Sequence, residues 1–212
     1  MTPDFKHIKN IIFDLGAVII NIDIQITIQR FADFFGVDAQ SLGKQLWDSP
    51  IWHKHEIGLA TDQEVIHYLN TTFGREKTLN EATFTEIWNA LLLDLPQARL
   101  DLLTRLKNKY RLFLLSNTNE THIKRVNEIL KTENNSPELA SYFEKVYYSY
   151  EMGLRKPDVE IYLAVLKDKG LTASETLFLD DNKPNIDAAA TTGIHTIHVT
   201  PPHTIIELLA NS

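Results

Sequence analysis

The chain has 212 residues, no cysteine and a formal net charge of −7. Absent cysteine excludes disulfides, thiolate zinc sites and a thiol nucleophile, and the acidic balance argues against a broad nucleic-acid-binding surface. The length suits one domain with an insertion, or two small domains, and a chain this long buries roughly 70–75% of its unfolded surface without covalent staples.

Any anionic ligand must therefore be held by a local cluster of donors or by a metal. No segment approaches the roughly 20 apolar residues of a membrane span. The apolar run from Ile8 to Ile24 is interrupted by Lys9, Asp14 and Asn21 and lacks a signal-peptide layout. A soluble, cytoplasmic protein with no nucleic-acid and no membrane partner is expected; oligomeric state is not legible.

In chain order, residues 8–20 read as a buried strand with a turn at Gly16. From about 23 to 95 the pattern is helical throughout. Asp38 is an N-cap for a short helix through Trp47. Thr61-Asp62-Gln63-Glu64 has the form of a capping box. Phe84, Ile87, Trp88, Leu91 and Leu92 form the apolar stripe of an amphipathic helix, and Pro96 closes the block.

Beyond residue 97 short apolar strands alternate with helices. A helix with Leu100, Leu103 and Leu106 precedes the strand 111–115. A helix with Ile123, Val126, Ile129 and Leu130 precedes the strand 145–150. A helix with Ile161, Tyr162, Val165 and Leu166 precedes the strand 176–179. A short helix from Pro184, the strand 196–199 and a last helix over 203–210 complete the chain. This alternation indicates an α/β fold with a parallel sheet covered on both faces. The division follows: 1–22 with 97–212 as core, and 23–96 as an inserted helical cap hinged near residues 22 and 96.

In open parallel sheets, ligands sit beyond the carboxyl ends of the strands, and four polar clusters fall there. Asp14 ends the first strand, where a carboxylate can attack phosphorus or simply open a turn. Ser116-Asn117 offers a hydroxyl and turn N–H groups for phosphate oxygens. Lys156, before Pro157 at a helix start, offers a fixed ammonium or a solvated surface charge. Asp180-Asp181 are adjacent carboxylates that repel unless a cation neutralises them, and magnesium favours such oxygen donors; the bland alternative is a pair capping the next helix.

The order, spacing and residue types of these clusters resemble the haloacid dehalogenase superfamily over essentially the whole chain. The stretches Phe13-Asp14-Leu15-Gly16, Leu115-Ser116-Asn117-Thr118-Asn119, Arg155-Lys156-Pro157 and Asp180-Asp181-Asn182 look like its bacterial α-glucose-1-phosphate phosphatase branch. So does His53-Lys54-His55-Glu56-Ile57-Gly58 in the helical block. The resemblance implies a Rossmann-like three-layer sandwich with an all-helical cap. It also implies a Mg2+-dependent phosphatase acting on a small phosphorylated metabolite through an aspartyl-phosphate. Asp14 would be the nucleophile. Asp14, the Gly16 carbonyl, Asp181 and, directly or through water, Asp180 would hold the metal. Ser116, Asn117 and Lys156 would bind phosphate.

Most phosphatases of that superfamily carry a second Asp two residues after the nucleophile, as proton shuttle; here the position is Gly16. General acid–base help is worth about 10²–10⁴ in rate, so modest turnover favouring activated esters such as sugar-1-phosphates is expected. His53, His55 and Glu56, at an apparent loop, are candidates for a replacement acid or for substrate contacts. Asp23 at the hinge is a further candidate; His7, His67, His122, His195, His198 and His203 carry no assignment.

The alternatives are a haloacid dehalogenase, a sugar phosphomutase, and a non-catalytic phosphate-binding regulatory protein. Superfamily dehalogenases usually carry Tyr at the position of Gly16, and phosphomutases rely on the absent acid. A mere binder gains nothing from a nucleophile beside a metal. Walker loops, dinucleotide fingerprints and Gly-x-Ser-x-Gly elbows are absent.

Overall fold

The computed structural model describes residues 5–74, 77–210 and 212. Its five strands are β1 (Asn10–Phe13), β2 (Arg111–Ser116), β3 (Lys145–Tyr148), β4 (Thr176–Asp180) and β5 (His195–His198). Five helices follow β1: α1 (Ile24–Phe35), α2 (Ala39–Trp47), α3 (Pro50–Glu56), α4 (Asp62–Phe73) and α5 (Glu81–Trp88). The later helices are α6 (Gln97–Leu106), α7 (Glu120–Glu133), α8 (Ser149–Met152), α9 (Val159–Lys169), α10 (Lys183–Thr191) and α11 (Ile205–Leu208).

The strands form one sheet in the order β3-β2-β1-β4-β5, parallel throughout. Ile11 sits opposite Leu112 on one side and Leu177 on the other. The winding thus reverses between β1 and β4, and a crevice opens at their carboxyl ends. Successive side chains point to opposite faces. Ile11, Phe13, Leu112, Leu114, Leu177 and Leu179 share one cluster with Leu103 of α6 and Val126 of α7. Ile12, Phe113, Leu115 and Phe178 share another with Ile161 of α9 and Ile186 of α10. The result is a Rossmann-like α/β arrangement with helices on both faces of the sheet.

The block α1–α5 has its own apolar cluster, around Phe31, Phe84 and Trp88, whose buried members all lie between Ile28 and Trp88. Its local signals are those read from sequence. Asp38 caps α2, accepting from Ser41 N at 2.8 Å, and Thr61 and Glu64 complete a capping box on α4. The two chain crossings pair with each other. Asn21 N donates to Asp94 O, Leu93 N to Asn21 O and Asp23 N to Leu91 O, at 2.9–3.0 Å, around an antiparallel Ile22–Leu92 bridge.

Several expected boundaries are corrected. The first strand stops at Phe13; Val18, Ile19 and Ile20 are buried as core residues in a bend, and an apolar run does not distinguish the two. The strand expected over 145–150 ends at Tyr148, where α8 begins and is closed by left-handed Gly153 (φ +65°). Pro157 precedes α9 rather than entering its first turn. The stripe to Leu92 breaks after Trp88 into a short 3-10 turn over Asn89–Leu91. His53 to Glu56 are the last turn of α3, not a loop, because Ser49 and Pro50 start a helix there.

Candidate active site

Asp14, one residue past β1, and Asp180, the last residue of β4, face each other across the reversal point. Asp14 is buried and Asp180 has no exposure. Between them lies Lys156, a buried ammonium that donates to Asp14 Oδ1 at 2.7 Å and to Asp180 Oδ2 at 2.6 Å. Burial pulls the lysine pKa down, but the two carboxylates more than offset this and hold it above the usual range. The backbone of Lys156 is fixed by the side chain of Asn117. Its Nδ2 donates to Lys156 O at 2.8 Å, and its Oδ1 accepts from Lys156 N at 2.9 Å. Thus Asn117, read from sequence as a source of a turn N–H, spends its side chain on placing the lysine.

Asp180 is also tied to the start of α10. It accepts from Asn182 N at 2.8 Å and from Asn185 Nδ2 at 3.0 Å. These bonds hold Asp180 against the entry to α10 without capping it, since the N-cap is Asn182 and no side chain caps that helix. Asp181 is more exposed, and its backbone carbonyl accepts from His198 Nε2 at 2.8 Å.

Oxygen atoms of Asp14, Asp180 and Asp181 all lie within 4.8 Å of one another, and the Lys156 ammonium pairs with only the first two. Burial raises the pKa of Asp14 to about 7, against the pull of Lys156, and Asp180 and Asp181 add to the rise. Asp181 is raised by its own burial and by Asp180. This excess of negative charge, carried on hard oxygen donors, fits a divalent cation such as magnesium. Gly16 borders the same space.

A cavity of about 430 Å³ joins these groups, lined by Asp14, Gly16, Ser116, Asn117, Lys156 and Asp181, with Ile22, Glu56 and Arg155 among the other walls. Ser116, the last residue of β2, is buried at its edge. A Cβ on Gly16 would stand 2.9 Å from Ile22 Cδ1, a side-chain tip that would have to shift to admit it.

The three candidates on α3 separate. Glu56 reaches the cavity and pairs with Arg155, Oε2 to Nη2 3.1 Å. His53 is exposed and borders an adjoining pocket that shares Arg155 and Pro157. His55 is buried and bonded through Nε2 to Asp62 Oδ1 at 2.7 Å; Asp62 Oδ2 in turn accepts from Thr121 Oγ1 at 2.5 Å. It borders a cavity of about 600 Å³ that shares none of the described walls of the Asp14 cavity. Asp23 caps α1, accepting from Gln25 N.

Arg155, Asn185, His198 and Ile22 were not singled out from sequence. Arg155 and Asn185 adjoin the motifs, which was the available signal. Nothing local marks Ile22 or His198.

Residues 8–193 match the haloacid dehalogenase-like hydrolase family. The chain belongs to that family. It is 32% identical over 196 residues to D-ribitol-5-phosphate phosphatase of Bacteroides thetaiotaomicron, covering 89% of this chain and 90% of that protein. Among solved structures, a HAD family enzyme of the same organism, in complex with magnesium and inorganic phosphate, superposes with a TM-score of 0.84. It is 35% identical, covering 95% of this chain and 98% of that one. A predicted HAD-like family hydrolase from Porphyromonas gingivalis gives 0.86 at 30% identity, covering 96% and 97%. Among the described residues of this hydrolase, no helix is long and apolar enough to cross a membrane.

Proposed function

We propose that this hydrolase is a magnesium-dependent phosphatase of small phosphorylated sugars or sugar alcohols, working through an aspartyl-phosphate on Asp14. The observation that carries the reading is the single buried ammonium of Lys156 bridging Asp14 and Asp180 at the edge of a cavity that Ser116 also borders. Asp14 attacks the phosphorus in line with the departing oxygen. Lys156, Ser116 and the backbone of Asn117 steady the phosphoryl oxygens. Asp14, Asp181 and the Gly16 carbonyl would hold magnesium, with Asp180 directly or through water; bound there, it neutralises the carboxylates and polarises the phosphoryl group. Residues 23–96 act as the cap over a core of 1–22 and 97–212, a division supported by the separate apolar cluster of α1–α5. A cytoplasmic setting suits such a substrate.

Two substrate arms deserve comparison. A sugar-1-phosphate releases a comparatively acidic anomeric hydroxyl, which suits a site without an acid at Gly16. A sugar-alcohol phosphate releases a primary alkoxide, and the Bacteroides relative is named for such an ester. A magnesium-supplemented panel of both, with p-nitrophenyl phosphate, run for the wild type and Asp14→Asn, tests the reading. Asp14→Asn is expected to lose at least 10³-fold on every ester, a loss of roughly 4 kcal/mol in barrier terms. Hydrolysis undiminished in that variant would remove Asp14 from its role.

A further inference from the structure

We propose that Glu56 is the proton donor to the leaving group, supplied from the helical block in place of the side chain that Gly16 lacks. The inference rests on the phosphatase reading above. Among the described residues, five titratable side chains border the cavity that holds Asp14: Asp14, Glu56, Arg155, Lys156 and Asp181. Asp14 is the nucleophile and Asp181 faces the metal. Lys156 is bound to two carboxylates, and Arg155 is the ion-pair partner of Glu56. Of the described cavity walls, that leaves Glu56 as the acid.

Its setting suits the task. The side chain is only 15% exposed, and its buried Oε2 lies 3.1 Å from Arg155 Nη2 in an ion pair that lacks hydrogen-bond geometry. Burial raises the carboxyl pKa against the pull of Arg155 and His55, which keeps the acid form accessible. Arg155 is a positioning residue: it fixes the carboxyl from the loop that also carries Lys156.

The chemistry balances in two half-reactions. A carboxylate oxygen of Asp14 bonds to phosphorus. The bond from phosphorus to the leaving oxygen breaks, its electron pair stays on that oxygen, and the oxygen takes the Glu56 proton. The products are an alcohol, phospho-Asp14 and the Glu56 carboxylate. That carboxylate then takes a proton from water as the water oxygen bonds to phosphorus. The bond to Asp14 breaks, inorganic phosphate leaves, and both side chains return to their starting forms.

The test is single-turnover rapid quench of the magnesium-loaded protein with two esters, p-nitrophenyl phosphate and D-ribitol 5-phosphate. p-Nitrophenolate departs without a proton; the primary alkoxide does not. Glu56→Gln is expected to release p-nitrophenolate in a burst within about threefold of wild type and to lose about 10²–10⁴-fold on the alkyl ester. Phospho-Asp14 then accumulates with the aryl ester, visible by intact mass. Glu56→Asp, keeping a carboxyl, recovers part of the alkyl activity. An equal loss on both esters with an unchanged melting temperature, or no loss on either, overturns the proposal. Because Asp14→Asn abolishes both reactions under the phosphatase reading, failure of that reading is distinguishable from failure of the Glu56 assignment.

Discussion

His122 illustrates how completely a single ring can be committed. At the first turn of α7, its backbone N–H donates to the N-cap Asn119 Oδ1 at 2.9 Å, while Asn119 Nδ2 faces Nδ1 at 3.2 Å. Trp88 O lies 3.1 Å from Nε2 and can only accept. The neutral Nε2–H tautomer is therefore the one that satisfies both contacts, and a second proton would confront the Asn119 amide donor. Burial drives the pKa from its ordinary 6.5 down to about 4, with His55 adding to the fall. The unfolded chain thus binds a proton that the folded one refuses between those values, so this residue costs stability as pH falls from about 6.5 to about 4. The total is about 3 kcal/mol. Urea midpoints across that window should decline more steeply for wild type than for His122→Gln, with the two slopes converging above pH 7. None of this was legible in sequence, where His122 carried no assignment, because its partners Trp88 and Asn119 gain meaning only once α5 meets α7. Asp14, Ser116 and Asp180-Asp181 were legible because each sits at the end of a short apolar strand, a local signal, whereas Lys156 lies beyond α8 and was marked by the Arg155-Lys156-Pro157 stretch instead.

Among the elements, caps were read correctly and strand ends were not. Asp38 and the Thr61–Glu64 box act within one turn, so sequence alone carries them. Val18, Ile19 and Ile20 stay apolar although β1 has ended, and hydrophobicity cannot report a turn; after Tyr148 the chain passes directly into α8. α3 was misread as a loop, and with it the environment of three candidates: helical periodicity turns His55 into the interior and leaves Glu56 at the cavity. The loop after α3 is held against α8 at Gly58. There φ is +73°, and a Cβ would meet Tyr150 O at 2.1 Å, a backbone atom that cannot swing aside. Gly58→Ala is expected to destabilise by about 2–4 kcal/mol, since strain and collision add, and to reduce turnover by displacing α3 from the site. Thermal melts and steady-state rates check both; a variant matching wild type would mean the loop can retreat at no cost.

At the scale of the whole molecule, the sheet order decides which distant residues meet. Alternating strands and helices predicted a parallel sheet, and the reversal between β1 and β4 brings residues 14 and 180 to one cavity. The contacts joining the helical block to the sheet layer, Glu56–Arg155, Thr121–Asp62 and His122–Trp88, link positions 34 to 99 residues apart, beyond any local pattern. Three carboxylates in one cluster, only two of them paired with the Lys156 ammonium, leave the fold carrying repulsion that a cation would relieve. Magnesium at a hundredfold its Kd is expected to stabilise by about 3 kcal/mol, or about 5–10 °C in Tm for a chain this size. Chelation should reverse the shift and Asp181→Asn should abolish it; a melting temperature indifferent to magnesium in the wild type would count against the metal assignment.

The ladder joining residues 21–23 to 91–94 has a further consequence through Ile22. That residue belongs both to the bridge with Leu92 and to the wall beside Gly16, its Cδ1 filling the volume a side chain there would claim. Two tethers zipped together behave as one strap, which favours a single axis of swing over independent flexing. Under the proposed reading, such a swing would carry Ile22 along the cavity wall that it shares with Gly16 and Asp181, coupling access to that wall to the position of the helical block.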